Sequence, residues 1–335
     1  MGTVSVASGK GGAGKTSIAA ALAAFLGPSC VCADCDVDAA NGAIALGATI
    51  REREPYFAGA AYRIEAEGCI GCGRCVQACR FGAIEADAGG HRFHIVAELC
   101  ERCGACSDRC PTKAIGTYKK QAGELFVSST RLGMTLVHAE LEPGEDTSGK
   151  LVRAVRERAD KIAAAADSLA TRAGSLVGAS CPLVATAGVT IIADAPPGIG
   201  CPVIATLAGT DLVLLVIEAS ASGTRDGARL IELLATTKRP VIAILNKTGL
   251  DAEMDLRARE LVASAAIELV GEICFDPSLR SAEEGGTTWL SIRGPASVQV
   301  ASALGKVVKI LDSLRADRRP TGKEVHKADH QGDEI

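Results

Sequence analysis

Apolar and polar positions follow a helix and strand rhythm along most of the chain, and one long stretch keeps neither. Val4, Val6 and Ala7 predict a short strand over Thr3–Ala7. A glycine- and lysine-rich loop follows. Ile18 to Leu26 is then Ala/Leu-rich and helical, and Gly27-Pro28 stops it. A second strand is predicted near Cys30–Ala33, ending in Asp34-Cys35-Asp36-Val37-Asp38. From about Arg51 to Gln121 the regular pattern is lost. It resumes with a strand over Leu136–Leu141 and a helix over Leu151–Leu169, where Leu151, Val155, Ala159, Ile162, Ala166 and Leu169 recur at helical spacing. Val189–Ala193, Leu212–Ile217, Val241–Leu245 and Leu269–Phe275 read as buried strands, with segments suited to helices between them. Continuous apolar strands alternating with helices predict an α/β fold, a doubly wound and mostly parallel sheet covered by helices. Residues 1–50 and 122–316 are read as one discontinuous domain, interrupted by an insert at 51–121. The polar residues 317–335 are read as a disordered tail.

Composition narrows the classes. The 335 residues allow two domains, and 47% of them are hydrophobic but only 3% aromatic, so the core is built from Ala, Val, Ile and Leu. A net charge of −4 without a basic stripe argues against nucleic acid as a partner. Nothing resembles a signal peptide, and no run approaches the roughly 18 apolar residues of a membrane span. A cytoplasmic protein without a membrane partner is expected. Thiols stay reduced there, so clustered cysteines are read as metal ligands rather than disulfides.

Gly9-Lys10-Gly11-Gly12-Ala13-Gly14-Lys15-Thr16 fits the phosphate-binding pattern G-x-x-x-x-G-K-[ST], with Ser17 next. Its backbone N–H groups can wrap phosphate oxygens. Lys15 is placed to reach the β- and γ-phosphates of ATP, and the Thr16 hydroxyl to bind Mg²⁺. The second lysine, Lys10, makes the loop resemble the deviant Walker A motif of the MinD/ParA/Mrp and nitrogenase-iron-protein family. That resemblance implies that Lys10 crosses an ATP-dependent homodimer interface to the partner's nucleotide. It also implies that Asp194, before Ala195-Pro196-Pro197-Gly198, is the Walker B and switch II residue, and that Asp36 orients the attacking water. Asp36 and Asp194 would reach Mg²⁺ through its water ligands, with Asp34 and Asp38 ranked lower. Asn246, after the Val241–Leu245 strand, is implied to read the adenine edge, and Asp276 to line the base pocket.

The insert holds eight of the fourteen cysteines, in two copies of C-x2-C-x2-C-x3-C: Cys69, Cys72, Cys75 and Cys79, then Cys100, Cys103, Cys106 and Cys110. This spacing resembles a ferredoxin carrying two [4Fe–4S] clusters. In such a protein the fourth cysteine of each run serves the other cluster. Cys69, Cys72, Cys75 and Cys110 are therefore expected to hold one cluster, and Cys100, Cys103, Cys106 and Cys79 the second. Zinc is the weaker alternative, because its motifs rarely use this triple spacing. Arg80 stands where such ferredoxins usually carry proline. It either raises the potential of one cluster or is a surface residue without effect. Cys35 and Cys201 lie beside the two switch segments, and most of the remaining cysteines read as small core residues.

The chain as a whole resembles MinD-superfamily P-loop ATPases with an inserted ferredoxin domain. The expected function is MgATP turnover coupled to electron transfer through the clusters, with a redox or iron–sulfur partner protein. The alternative is ATP-dependent cluster assembly or delivery, although the C-x2-C pair of Mrp-type carriers is missing from the C-terminal half. A MinD-type positioning ATPase is less expected, since residues 315–335 have scarcely any apolar face. A cobyrinic acid a,c-diamide synthase-like enzyme is also less expected, because no amidotransferase domain is left over.

Overall fold

The computed structural model describes residues 1–59, 61–143, 145, 148–172, 188–285 and 287–317. The tail reading and Cys181 lie outside the described residues. The chain opens with β1 (Gly2–Ala7), α1 (Lys15–Leu26), β2 (Cys30–Asp34), α2 (Gly42–Ala45) and β3 (Thr49–Phe57). Residues 58–120 then fold as a small unit containing β4 (Ala61–Ile64), α3 (Arg74–Ala78), β5 (Ile84–Ala86), β6 (Phe93–Ile95), α4 (Ala105–Asp108) and β7 (Ile115–Tyr118). The large body resumes with β8 (Gln121–Ser129), β9 (Thr135–Leu141), α5 (Ser148–Arg172), β10 (Thr190–Asp194), α6 (Cys201–Leu207) and β11 (Leu212–Glu218). It closes with α7 (Ala221–Thr237), β12 (Val241–Thr248), α8 (Ala252–Ser264), β13 (Glu268–Cys274), α9 (Pro277–Glu284) and α10 (Pro295–Asp317).

One nine-stranded sheet organises the body, in the order β13-β12-β11-β1-β10-β2-β9-β8-β3. The strands from β13 to β9 run parallel, and β8 and β3 add an antiparallel margin. Every residue of β1, β2 and β10 is buried, as expected for strands covered on both faces. On one face Ile18 and Leu22 of α1 and Val300, Leu304 and Val307 of α10 pack on Val4, Val6 and Leu214. On the other, α5 covers Val31, Ala33 and Ile191 through Leu151, Val155 and Ala159. Leu230 and Leu234 of α7 and Ala258 and Val262 of α8 cover Val213, Leu215 and Leu245. Each such aliphatic side chain contributes about 1.5–3 kcal/mol on full burial.

The insert begins later and ends earlier than the sequence pattern indicated. Residues 51–57 and Gln121, read as insert, belong to β3 and β8 of the large sheet. The reason is chemical. β3 reads Thr-Ile-Arg-Glu-Arg-Glu-Pro-Tyr-Phe and is exposed along nearly its whole length, so it carries no apolar face to read. It is an edge strand, where charge and Pro55 discourage pairing with another chain. Arg158 of α5 holds it by ion pairs to Glu52 and Glu54.

The insert pairs its two halves. β4 pairs with β7 and β5 with β6, so each small sheet takes one strand from each cysteine repeat. Among the described residues, its buried apolar cluster is small, formed by Cys75, Ile84 and Ile115.

Candidate nucleotide site and cysteine hollows

The parallel strands end together at one edge of the sheet, and the loop between β1 and α1 lies there. Gly14 precedes α1 with φ +89°, a left-handed conformation. A Cβ at that position would lie 2.3 Å from the Asn246 amide nitrogen, so only glycine lets the loop pass. α1 starts at Lys15. The buried Lys15 Nζ lies 2.6 Å from Asp194 Oδ1, and the Thr16 hydroxyl donates to Asp194 Oδ2 at 2.6 Å. Gly198 N–H donates to Ser8 O at 3.0 Å, which ties the segment after Asp194 to the loop.

Register brings a second carboxylate alongside. Asp34 ends β2 directly opposite Asp194 of β10. It is buried, and it accepts from Gly42 N–H at 2.8 Å and Asp36 N–H at 3.1 Å. Burial, reinforced by the charge of Asp194, pushes its carboxyl up to about 7. Asp36 is also shifted upward, chiefly by burial, with Asp194 and Asp38 adding to the effect and Lys15 opposing it. Asp36, Asp194, Lys15 and Thr16 are thus brought together, and Asp34 joins them. The sequence ranked Asp34 lower; its place as the last residue of an apolar strand was the available signal.

Lys10 Nζ stays within its own chain, 2.8 Å from Glu218 Oε1 and 2.9 Å from Ser222 Oγ. Lys247 bonds the other oxygen of Glu218 at 2.8 Å and the Gly12 carbonyl at 2.8 Å. The two lysines hold the Glu218 carboxyl below the usual carboxylate range against an opposing burial effect. Glu218 and Lys247 were missed in the sequence, where neither belongs to a spaced motif. Asn246 donates to the Ala13 carbonyl at 2.8 Å and accepts from Lys247 N–H at 2.9 Å, so its amide braces the phosphate loop. Asp276 caps α9, accepting from Ser278 N–H at 2.9 Å and its hydroxyl at 2.7 Å. Gly9 passes against α7, where a Cβ would meet the Asp226 carbonyl at 2.2 Å. Gly11 and Gly12 are exposed at the loop tip, Ala13 is buried beneath it, and Ser17 is half-buried in the first turn of α1.

The eight insert cysteines divide between two hollows. Cys79, Cys100, Cys103 and Cys106 line one, with Tyr62, Phe81, Ile84 and Ile95. Cys69, Cys72, Cys75 and Cys110 line the other, with Ile64, Phe93 and Ile115. The cross-paired small sheets carry Cys79 to the second triad and Cys110 to the first. Gly104, at φ +80°, turns the chain back into α4 after Cys103. A side chain there would meet the Tyr62 hydroxyl at 2.8 Å. Ala83 N–H donates to the Cys79 sulfur at 3.3 Å. Among the described residues, no group of three or more His, Cys, Asp or Glu converges closely enough to hold a single metal ion. Cys35 is buried and its thiol is pushed up to about 12, an inert core position, whereas Cys201 is exposed.

Residues 4–289 match the family model described as the CobQ/CobB/MinD/ParA nucleotide binding domain. The chain belongs to this family. Uncharacterized protein MJ0578 of Methanocaldococcus jannaschii is 32% identical over 250 residues, spanning 74% of this chain and 79% of that protein. Among solved structures, the septum site-determining protein MinD of Pyrococcus horikoshii OT3, complexed with Mg-ADP, aligns at TM-score 0.51 and 16% identity, over 93% of this chain and 98% of that one. The Pyrococcus furiosus cell division ATPase MinD aligns at TM-score 0.50 and 16% identity, over 92% and 99%. These two share the fold. Membership in the CobQ/CobB/MinD/ParA family makes the Gly9–Thr16 loop part of a nucleotide-binding domain. Among the described residues, no helix is long and apolar enough to cross a membrane.

Proposed function

We propose that this chain is an ATP-dependent iron–sulfur protein, in which MgATP turnover at the phosphate loop is coupled to electron transfer through two [4Fe–4S] clusters. The observation that carries the reading is the crossed cysteine arrangement: each hollow takes three cysteines from one run and the fourth from the other. The donor sets fit cubane clusters. A zinc site draws its sulfurs onto one ion, whereas a cubane gives each thiolate its own iron, so its ligands stand around a space. When bound, the clusters supply one-electron transfer.

On the nucleotide side, Lys15 meets the β- and γ-phosphates, Thr16 holds Mg²⁺, and Asp194 and Asp36 reach the ion through its waters. Asp194 already gathers Lys15 and Thr16, so these groups need little rearrangement to receive a Mg-phosphate. Asp36 orients the attacking water, and Asp34 fixes its backbone. Lys10 leaves Glu218 for the nucleotide of a partner copy when ATP closes a homodimer.

A second reading, cluster assembly or delivery, is favoured by one observation: Cys72 and Cys103 are exposed, so each hollow opens at one ligand. Protein purified without oxygen is expected to hold about eight irons per chain and to hydrolyse ATP. Zinc in their place overturns the iron–sulfur reading. Iron lost to a chelator on MgATP addition favours delivery; a potential shift without loss favours electron transfer.

A further inference from the structure

We propose that Glu145 is the joint through which nucleotide occupancy at the phosphate loop is transmitted to the cysteine hollow lined by Cys79, Cys100, Cys103 and Cys106. Its side chain is 0% exposed although it lies in the connection between β9 and α5. One oxygen accepts from Arg102 Nη2 at 2.6 Å and lies 3.0 Å from Lys120 Nζ. The other is buried without a hydrogen-bond partner among the described residues.

Both cations belong to the insert. Arg102 sits between Cys100 and Cys103 in a left-handed conformation, φ +53°, and helps to line the hollow. Lys120 stands at the root of the insert, next to β8. Gly71, at the same position of the first run, is left-handed too, at φ +70°, so the turn between the cysteines sets this backbone and the bond to Glu145 fixes the Arg102 side chain.

Glu145 is also tied to the nucleotide side. Three residues on, Ser148 starts α5, and Gly149 packs against Cys201: a Cβ at 149 would lie 3.7 Å from the Cys201 Cβ. Cys201 closes the segment that begins at Asp194 and contacts the phosphate loop through Gly198. A shift of that segment when a Mg-phosphate binds at Lys15 and Thr16 therefore presses on the start of α5, moves Glu145, and moves Arg102 between two cysteines. Arg102 and Glu145 are the only described ion-paired contact of the second cysteine run with the body. They touch no reacting atom and act as positioning residues. The inference rests on the proposed function in one respect, that a redox group fills the hollow.

Two readouts test it on the full chain as purified. Coupling between sites is reciprocal, so MgATP should bind the oxidised and reduced wild-type protein with affinities that differ by at least about fivefold. In Glu145→Gln the difference should fall below about twofold, with ATP turnover retained. The second readout needs the hollow filled but not by a redox-active group: MgATP should change hydrogen exchange at the amides of residues 100–104 in the wild type and not in the variant. Arg102→Met, altered at the other end of the contact, should behave alike and guards against misfolding of Glu145→Gln. A nucleotide response at residues 100–104 that survives in both variants overturns the proposal, as does a wild type that shows none. Loss of the response in the variants, found in protein that holds zinc in place of iron, supports the joint while sinking the redox reading.

Discussion

The large body and the insert hold their shapes by different means. In the body, β1, β2, β10 and β11 are buried along almost their entire length between layers of helices. In the insert, the buried centre is Cys75, Ile84 and Ile115, flanked by half-buried side chains and by three further ligand-candidate cysteines. A unit of that size with so thin a core cannot offset the entropy of ordering its chain by apolar burial alone. The cysteines that we assign to chemistry are therefore also part of the scaffold. The lesson is that function and stability separate in the body, where the phosphate loop sits at the rim of an independent core, and coincide in the insert.

The largest expected effect breaks this comparison open. Stripping iron should abolish protection of residues 58–120 in hydrogen exchange while the strands of the body stay protected, because binding of such a group is folding free energy for the unit that holds it. Equal protection of both regions after stripping would show that the insert stands on its small core.

Next in size, Lys15→Ala should lower ATP turnover by at least on the order of 10²-fold and leave iron content unchanged. This variant removes the charge that meets the phosphates, and the body's apolar layers do not depend on it. A parallel loss of iron would tie the two regions more closely than the fold suggests.

The pH dependence of body stability without nucleotide gives a smaller effect. The Asp34 carboxyl has a folded value of about 7 against an ordinary 3.8, so the folded state holds a proton that the unfolded state has lost. Its contribution is fully present at low pH and is lost as pH rises through that window. Asp34→Asn should flatten this slope, read by denaturant unfolding across about pH 5–8, while costing one of the two backbone bonds that the carboxylate accepts at every pH. An unchanged slope would contradict a protonated Asp34.

The smallest effect concerns Asp276. Loss of its cap in Asp276→Ala should cost about 0.5–2 kcal/mol of stability with MgATP affinity unchanged. Weakened ATP binding would instead support the base-pocket role that the sequence suggested.

The sequence disclosed what is encoded by spacing. The phosphate loop and Asp194 stand at the ends of readable apolar strands, Asp36 lies two residues past one, and the two cysteine runs keep their order and intervals. What stayed hidden depends on register and on partners far along the chain. Asp34 becomes important because β2 and β10 align it with Asp194. Glu218 collects Lys10 from the phosphate loop and Lys247 from β12, and Glu145 gathers Arg102 and Lys120 from the insert. β3 was assigned to the insert because an exposed, charged edge strand lacks the apolar alternation that marks a strand. Asn246 shows a role that the strand-end position did not disclose: its amide bonds the Ala13 carbonyl and so braces the phosphate loop.

The central claim is that the nucleotide and the two cysteine hollows work as one device. A redox titration of anaerobically purified protein, followed by EPR with and without MgATP, tests it most directly. The account predicts two [4Fe–4S] signals, with the midpoint potential of at least one displaced by the nucleotide. Two signals with the same potentials in both conditions, or a zinc-loaded protein with no signal, would contradict it.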